Sequence, residues 1–330
     1  MSDLVDMVNA AVSEHPFSGV VRVDDAARTT ELAFGLADRA HQLPNSPDTR
    51  FATASGSKLF TALAVMSLVT DGTVELDASA RHWLPDLTQL DNAVTVRQLL
   101  THTSGVGEYL DDDAPSDTHL LPGSMHSYNR AEDFLALLDL PMKQPPGTFE
   151  YSNAGFVLLG IIAERASGQP FQDLIQQRVF RPAGLADTDF LRSDALPGSA
   201  AIGYLYRDGL RSNVFHLPIE GSPDGGAYTT AADLRRFWIA LAAGRIVPDE
   251  VVTQMTTLGP DHDPDDPYGL GLWLPAPGAW QIVGEDAGVS MVSEHRPDQD
   301  LTMTVLANDA EGAWTIWPVL REATGTGQPG

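Results

Sequence analysis

The first residues place apolar side chains at helical spacing, with Asp3, Asp6 and Glu14 interrupting them, and this predicts an amphipathic helix. Two alternating, β-branched segments follow at 17–24 and 30–37, and the charged turn between them predicts a hairpin. Residues 58–70, KLFTALAVMSLVT, are apolar on nearly every side, as in a buried helix that stops at Asp71-Gly72. The middle of the chain reads as short helices between Pro/Gly-rich loops. Thr95-Val-Arg-Gln98 and Asn129-Arg-Ala-Glu132 have the spacing of an N-cap and a reciprocating side chain. A further apolar helix covers 156–165 and ends near Gly168, and Thr230-Ala-Ala-Asp233 opens one that runs to about 243. Strand patterns return at 268–274, 280–284, 288–294 and 301–308, the last two joined by the turn 296–300. A helix at 313–323 closes the chain before a Gly/Pro tail expected to fray.

Strands near both ends with helices between them predict an α+β fold. Its antiparallel sheet is flanked by N- and C-terminal helices, with an all-helical domain inserted. The expected division is 1–75 with 225–330 for the sheet domain and 76–224 for the helical one. A cleft between two such units is a common ligand site.

Composition narrows the function classes. The 330 residues carry 45 acidic side chains against 20 Lys plus Arg, a formal net charge of −25. Such a surface repels phosphate backbones and anionic lipid, so neither nucleic acid nor a membrane is an expected partner. With no cysteine there is no disulfide, thiolate nucleophile or Cys-ligated metal. The opening residues show no basic leader with a long apolar run, and a soluble, cytoplasmic protein is the expectation.

Candidate chemistry starts at Ser55-Gly56-Ser57-Lys58, at the mouth of the apolar helix. Residues three apart share a helix face, so the Ser55 hydroxyl and the Lys58 amine can meet. A serine hydroxyl is a weak nucleophile that needs a base beside it, and a lysine held uncharged can serve. The helix start also offers N–H groups to a developing oxyanion. The bland alternative is a surface Ser and Lys at a helix start. A second candidate is Tyr151-Ser152-Asn153, after the Pro145-Pro146-Gly147 turn. A phenol beside an ammonium relays protons, and Asn153 can accept from Lys58 while donating to a substrate carbonyl. Ser152 or Asn153 can equally cap the following helix.

Together, Ser55-x-x-Lys58 and Tyr151-x-Asn153 resemble the serine β-lactamase and penicillin-binding-protein superfamily, and within it the class C β-lactamase and esterase branch. Val94-Thr-Val-Arg-Gln-Leu-Leu-Thr-His-Thr-Ser-Gly105, Pro146-Gly-Thr-Phe-Glu-Tyr-Ser-Asn-Ala-Gly155 and Gly225-Gly226 followed by Thr229-Thr-Ala-Ala-Asp-Leu234 extend the likeness over most of the chain. The resemblance implies Ser55 as acylated nucleophile, Lys58 and Tyr151 as the proton-handling pair, and Asn153 as a positioning residue. It also implies a structural role for His102.

The third motif departs from that pattern. The family carries Lys or His, a small polar residue and Gly on the strand lining the site, and the local match is Gly284-Glu285-Asp286-Ala287-Gly288. Glu285 then takes the substrate-positioning place of the cation, and the Gly288 N–H joins that of Ser55 as oxyanion hole. Like charges at ~4 Å repel by about 4 kcal/mol at an effective dielectric of 20, so Glu285 disfavours the carboxylate of a β-lactam or D-alanyl peptide. A Glu285–Lys58 pair would also weaken the base.

The expected function is a serine hydrolase forming an acyl-enzyme on Ser55, a carboxylesterase acting on neutral or cationic small-molecule esters, without cofactor or metal. The alternatives are a D-amino-acid amidase or peptidase, a weak β-lactamase and, from another class, a non-catalytic binding protein with a degenerate third motif. No HExxH or Gly-x-Ser-x-Gly pattern occurs, and the acidic run 261–266 lacks the glycine and glutamate of a calcium loop. The physiological substrate and the oligomeric state are not legible in the sequence.

Overall fold

The computed structural model describes residues 2–110, 121–259, 262–265 and 267–326. Helix α1 (Ser2–Glu14) leads into strand β1 (Gly19–Asp25), which turns back antiparallel as β2 (Arg28–Phe34), with Gly19 opposite Phe34 and Asp25 opposite Arg28. Near the other end, β3 (Trp280–Asp286), β4 (Val289–Arg296) and β5 (Leu301–Ala307) form a meander. β1 and β5 pair antiparallel and join the two ends into one five-stranded sheet of order β2-β1-β5-β4-β3. The expected α+β architecture is present, with β3 at an open edge.

Strand alternation sends neighbouring residues to opposite faces, and each face has its own cover. Val21, Val23, Val292, Met303 and Val305 face one way. They pack with Val8 of α1 and with Ala313, Ile316 and Leu320 of the C-terminal helix (Gly312–Ala323). Val20, Ile282, Met291 and Leu306 join a larger core with helix α2 (Lys58–Thr70), which is apolar on all sides because it is buried on all sides. That core continues into helix α3 (Asn153–Ser167) and helix α4 (Ala231–Ala242). The polar positions on this sheet face are satisfied, for example by Trp238 Nε1 donating to Ser293 Oγ at 2.8 Å.

Several start and stop signals act as read from the sequence. Thr95 and Gln98 form the reciprocal capping box of the short helix at Val96–Leu100. Gly168 ends α3 in the left-handed conformation, at φ 69°. Thr230 caps α4 through the Asp233 N–H. Two expectations need correction. The start at 129–132 is capped by Asp133, which accepts from the Asn129 and Arg130 N–H groups, rather than by Asn129 with Glu132. Residues 268–274 are no strand: Tyr268 and Trp273 form an isolated bridge, and Trp273 bridges Gln281. The reason lies at Gly271 (φ 95°), where a side chain would come within 2.2 Å of the Ala62 Cβ; the loop bends to press its backbone onto α2. The acidic run 261–266 lies partly outside the described residues, and so do the last four residues of the tail. Among the described residues, no helix is long and apolar enough to cross a membrane.

The crossing of α3 with the loop before α4 fixes the site. Gly160 sits where a Cβ would lie 2.1 Å from the Pro223 Cγ. Glycine-to-alanine exchange within a helix ordinarily stabilises by about 1 kcal/mol. Here the sign reverses: Gly160→Ala is expected to destabilise by ~1–3 kcal/mol through overpacking, read from urea unfolding midpoints.

Candidate active site

A 3₁₀ turn at Ala54–Ser57 runs directly into α2, so Ser55 and Lys58 stand one turn apart at the mouth of a buried helix. Ala54 itself holds a left-handed backbone, φ 44°, at the residue before the serine. The Gly226 N–H donates to its carbonyl at 3.2 Å and helps to hold that conformation. Lys58 Nζ lies 3.0 Å from Ser55 Oγ, 2.7 Å from Asn153 Oδ1 and 2.8 Å from the Asp224 carbonyl oxygen. Lys58 is only 2% exposed and makes no ion pair among the described residues.

The identity of those three partners matters. Asn153 Oδ1 and the Asp224 carbonyl can only accept, whereas a serine hydroxyl can also donate. A protonated Lys58 donates to all three oxygens; once it has given up a proton, one arrangement satisfies everything, two N–H bonds to the two carbonyl oxygens and the lone pair toward the Ser55 O–H. That arrangement aims a proton acceptor at the hydroxyl.

Helix α3 delivers Asn153. Its N-terminus is held by Ser152 Oγ, which accepts from the Gly155 N–H at 3.0 Å, and by the Glu108 carboxylate, which accepts from the Asn153 N–H at 2.7 Å. Negative charge at a helix start is favourable, so Glu108 both caps α3 and fixes Asn153 against Lys58. Tyr151 lies just before the cap. Lys58 Nζ stands 4.9 Å from its ring centroid, and the ring stacks on Trp273 at 6.3 Å and 8°.

His102 supports Tyr151 from behind. Its Nδ1 accepts the Ser152 N–H at 3.0 Å, which puts the proton on Nε2, and its ring lies 4.3 Å from that of Tyr151. Phe156 and Tyr268 close the surround, at 5.0 and 4.6 Å. Burial, and secondarily the nearby Lys58 charge, hold the imidazole well below its ordinary pKa, so it stays neutral.

The β3 edge forms the far wall. Gly284 is the residue that packs on the Ser55 turn: a Cβ there would lie 2.1 Å from the Thr53 carbonyl oxygen and 3.1 Å from the Ser55 nitrogen. Gln281 exchanges bonds outward with Trp273, at 2.9 and 3.0 Å, so its N–H points away from the sheet. By strand alternation the Val283 and Glu285 N–H groups also point outward, the latter beside Ser55. The third motif therefore sits differently from its sequence reading. Gly288 lies past the strand in the β3–β4 turn, where a Cβ would meet the Tyr204 nitrogen at 2.7 Å, and it does not line the cleft. Glu285 is exposed at the cleft wall and forms no ion pair with Lys58. The sequence placed both residues by motif spacing; the tight β3–β4 turn shifts the register.

The resulting cleft has a volume of about 810 Å³ and is lined by Ser55, Tyr151, Asn153 and the β3 edge among others. A sequence profile described as Beta-lactamase matches residues 8–316. The chain belongs to the beta-lactamase family. Members of this family are serine hydrolases. A penicillin-binding protein from Bacillus halodurans is 34% identical in structure-based comparison, with a TM-score of 0.89 over 96% of this chain and 99% of that one. Esterase EstB of Burkholderia gladioli is 32% identical over 71% of this chain and 68% of its own length. A D-amino acid amidase from Ochrobactrum anthropi SV3, solved with L-phenylalanine amide, superposes at a TM-score of 0.80 and 26% identity, over 98% of this chain and 99% of that one.

Within this beta-lactamase family member, sequence reading missed four contributors: Glu108, Tyr109, Asp224 and Trp273. Asp224 was within reach, since it directly precedes Gly225-Gly226; the other three carry no local pattern that marks them.

Two outcomes follow from this geometry. Gly284→Ala is expected to cost at least ~10²-fold in turnover while folding is retained, because the added methyl pries β3 from the Ser55 turn; steady-state kinetics alongside circular dichroism checks it. His102 gives a pH effect. Below about pH 6.5 the unfolded chain protonates this imidazole and the folded protein does not. Stability then falls as pH drops through that range, by up to about 1.4 kcal/mol per unit, and the loss is absent above it. Urea midpoints at neutral and mildly acidic pH should diverge less in His102→Gln than in the unsubstituted protein.

Proposed function

We propose that the protein hydrolyses carboxylic esters through an acyl-enzyme on Ser55. The observation that carries this reading is the 3.0 Å approach of Lys58 Nζ to Ser55 Oγ, with the other two Lys58 contacts made to carbonyl oxygens. Ser55 Oγ attacks the acyl carbon as its proton passes to Lys58. The tetrahedral oxyanion is held by the Ser55 N–H and the outward Glu285 N–H, which takes the role the motif spacing gave to Gly288. Lys58 then returns the proton toward the departing alkoxide, with the Tyr151 phenol as relay, and the ester C–O bond breaks. Water attacks the acyl-enzyme along the reverse proton path and releases the acid. Asn153 fixes Lys58 and donates through its amide to the substrate carbonyl side. No cofactor or metal enters this scheme.

The likeness to Esterase EstB supports ester substrates, and the likeness to the D-amino acid amidase supports D-amino-acid amides as a second reading. The non-catalytic reading rests on the degenerate third motif. An exposed Glu285 that lies outside the Lys58 contacts speaks against a Glu285–Lys58 pair and so favours the catalytic reading.

The protein is expected to turn over p-nitrophenyl acetate or butyrate, and Ser55→Ala to abolish it. Lys58→Ala should be nearly as damaging, because the two groups act as a unit. Ester turnover that persists in Ser55→Ala would exclude this mechanism.

A further inference from the structure

The cleft wall has a one-sided charge. Among the described residues four carboxylates line it, Glu150, Asp224, Glu285 and Asp286, and no lysine or arginine side chain does. They are not equivalent. Glu150 pairs with Lys143 at 2.8 Å, and Glu285 and Asp286 are exposed at the wall.

Asp224 differs in being buried, at 6% exposure, and in forming no ion pair among the described residues. Among the described residues its carboxylate accepts from neutral hydroxyls, Ser222 Oγ at 2.5 Å and the Tyr109 phenol at 2.6 Å. A buried carboxylate is ordinarily matched by a cation, and among the described residues none pairs with this one, Lys58 reaching only the backbone oxygen. The backbone of the same residue touches Lys58 Nζ, which places this carboxylate next to the reacting centre.

Aromatic rings stand around the same space. Tyr109, Tyr151 and Trp273 all line the cleft, and ring faces attract cations, quaternary ammonium groups included. Carboxylates and ring faces are independent features with one preference in common. The Tyr109 phenol senses the same field: burial first, and then Asp224, Glu108 and Asp286, push its pKa well above the ordinary value.

We propose that this cleft selects substrates bearing a cationic nitrogen, with the Asp224 carboxylate as its anchor. The inference rests on the ester-hydrolase reading of the cleft and adds the substrate class. The nitrogen belongs to the acyl part or to the leaving alcohol, and the test separates the two.

The test uses isosteric pairs that differ only in charge. For the acyl side, kcat/KM is measured on the p-nitrophenyl esters of 4-(trimethylammonio)butyrate and 5,5-dimethylhexanoate. For the alcohol side, butyrylthiocholine is compared with 3,3-dimethylbutyl thiobutyrate. In at least one pair the cationic member is favoured by roughly tenfold or more at low salt, and the preference shrinks in about 0.5 M sodium chloride. The ratio within a variant is the readout, so a general loss of activity does not disturb it. Asp224→Asn brings the ratio close to one. Should Asp224→Asn fail to fold, Asp286→Asn carries the test with a smaller fall, roughly twofold to threefold. A ratio near one or inverted in both pairs, or a ratio unmoved by these substitutions, overturns the proposal while the ester-hydrolase reading stands. Turnover of none of the four esters overturns both.

Discussion

A buried amine governs this structure. Lys58 lies at the start of an apolar helix, almost wholly removed from water, and such a group is tolerated only where its hydrogen-bonding capacity is met. Three separate segments supply the partners: the turn that holds Ser55, the start of α3 with Asn153, and the loop with Asp224. Each segment is itself fixed by the fold. The Ser55 turn is pinned between Gly284 of β3 and the Gly226 N–H, α3 is capped by Glu108 and Ser152, and the Asp224 loop is wedged onto α3 at Gly160. Catalytic geometry and packing are one set of contacts here.

The same contacts determine what faces the substrate. Since the amine satisfies itself on oxygens of Asn153 and Asp224, the carboxylates in the neighbourhood are left for other work. Glu108 is committed to the α3 terminus, while the buried Asp224 carboxylate accepts from Ser222 and Tyr109 at the cleft wall. The oxyanion donors proposed above are backbone N–H groups, so the unusual side chain at position 285 leaves that function open. On the proposed reading, a member of the beta-lactamase family thereby gains a wall that would disfavour anionic substrates.

Much of this was legible from patterns with strong local causes. The all-apolar run at 58–70, the capping box at Thr95, the left-handed stop at Gly168 and the paired strands at both ends are local effects, and the structure follows them. The Ser55–Lys58 approach was legible too, since it needs only one helical turn. Long-range geometry was not. The strand expected at 268–274 gives way to a bend because Gly271 must lie on Ala62, a contact between distant segments. Gly288 was misplaced because motif spacing cannot see that β3 and β4 join through a tight turn. The neutral state of His102 depends on the Ser152 N–H and on four surrounding rings, none of which its own segment reveals.

The central claim is that Lys58 is what makes the Ser55 hydroxyl reactive. It is tested most directly by treating the intact protein with a serine-directed fluorophosphonate and locating the adduct by peptide mass spectrometry, in parallel with Lys58→Met. One adduct per chain is expected, on Ser55, formed readily in the unsubstituted protein and suppressed by orders of magnitude in a folded Lys58→Met. Equal labelling of Ser55 in both proteins, or an adduct on another residue, would contradict it.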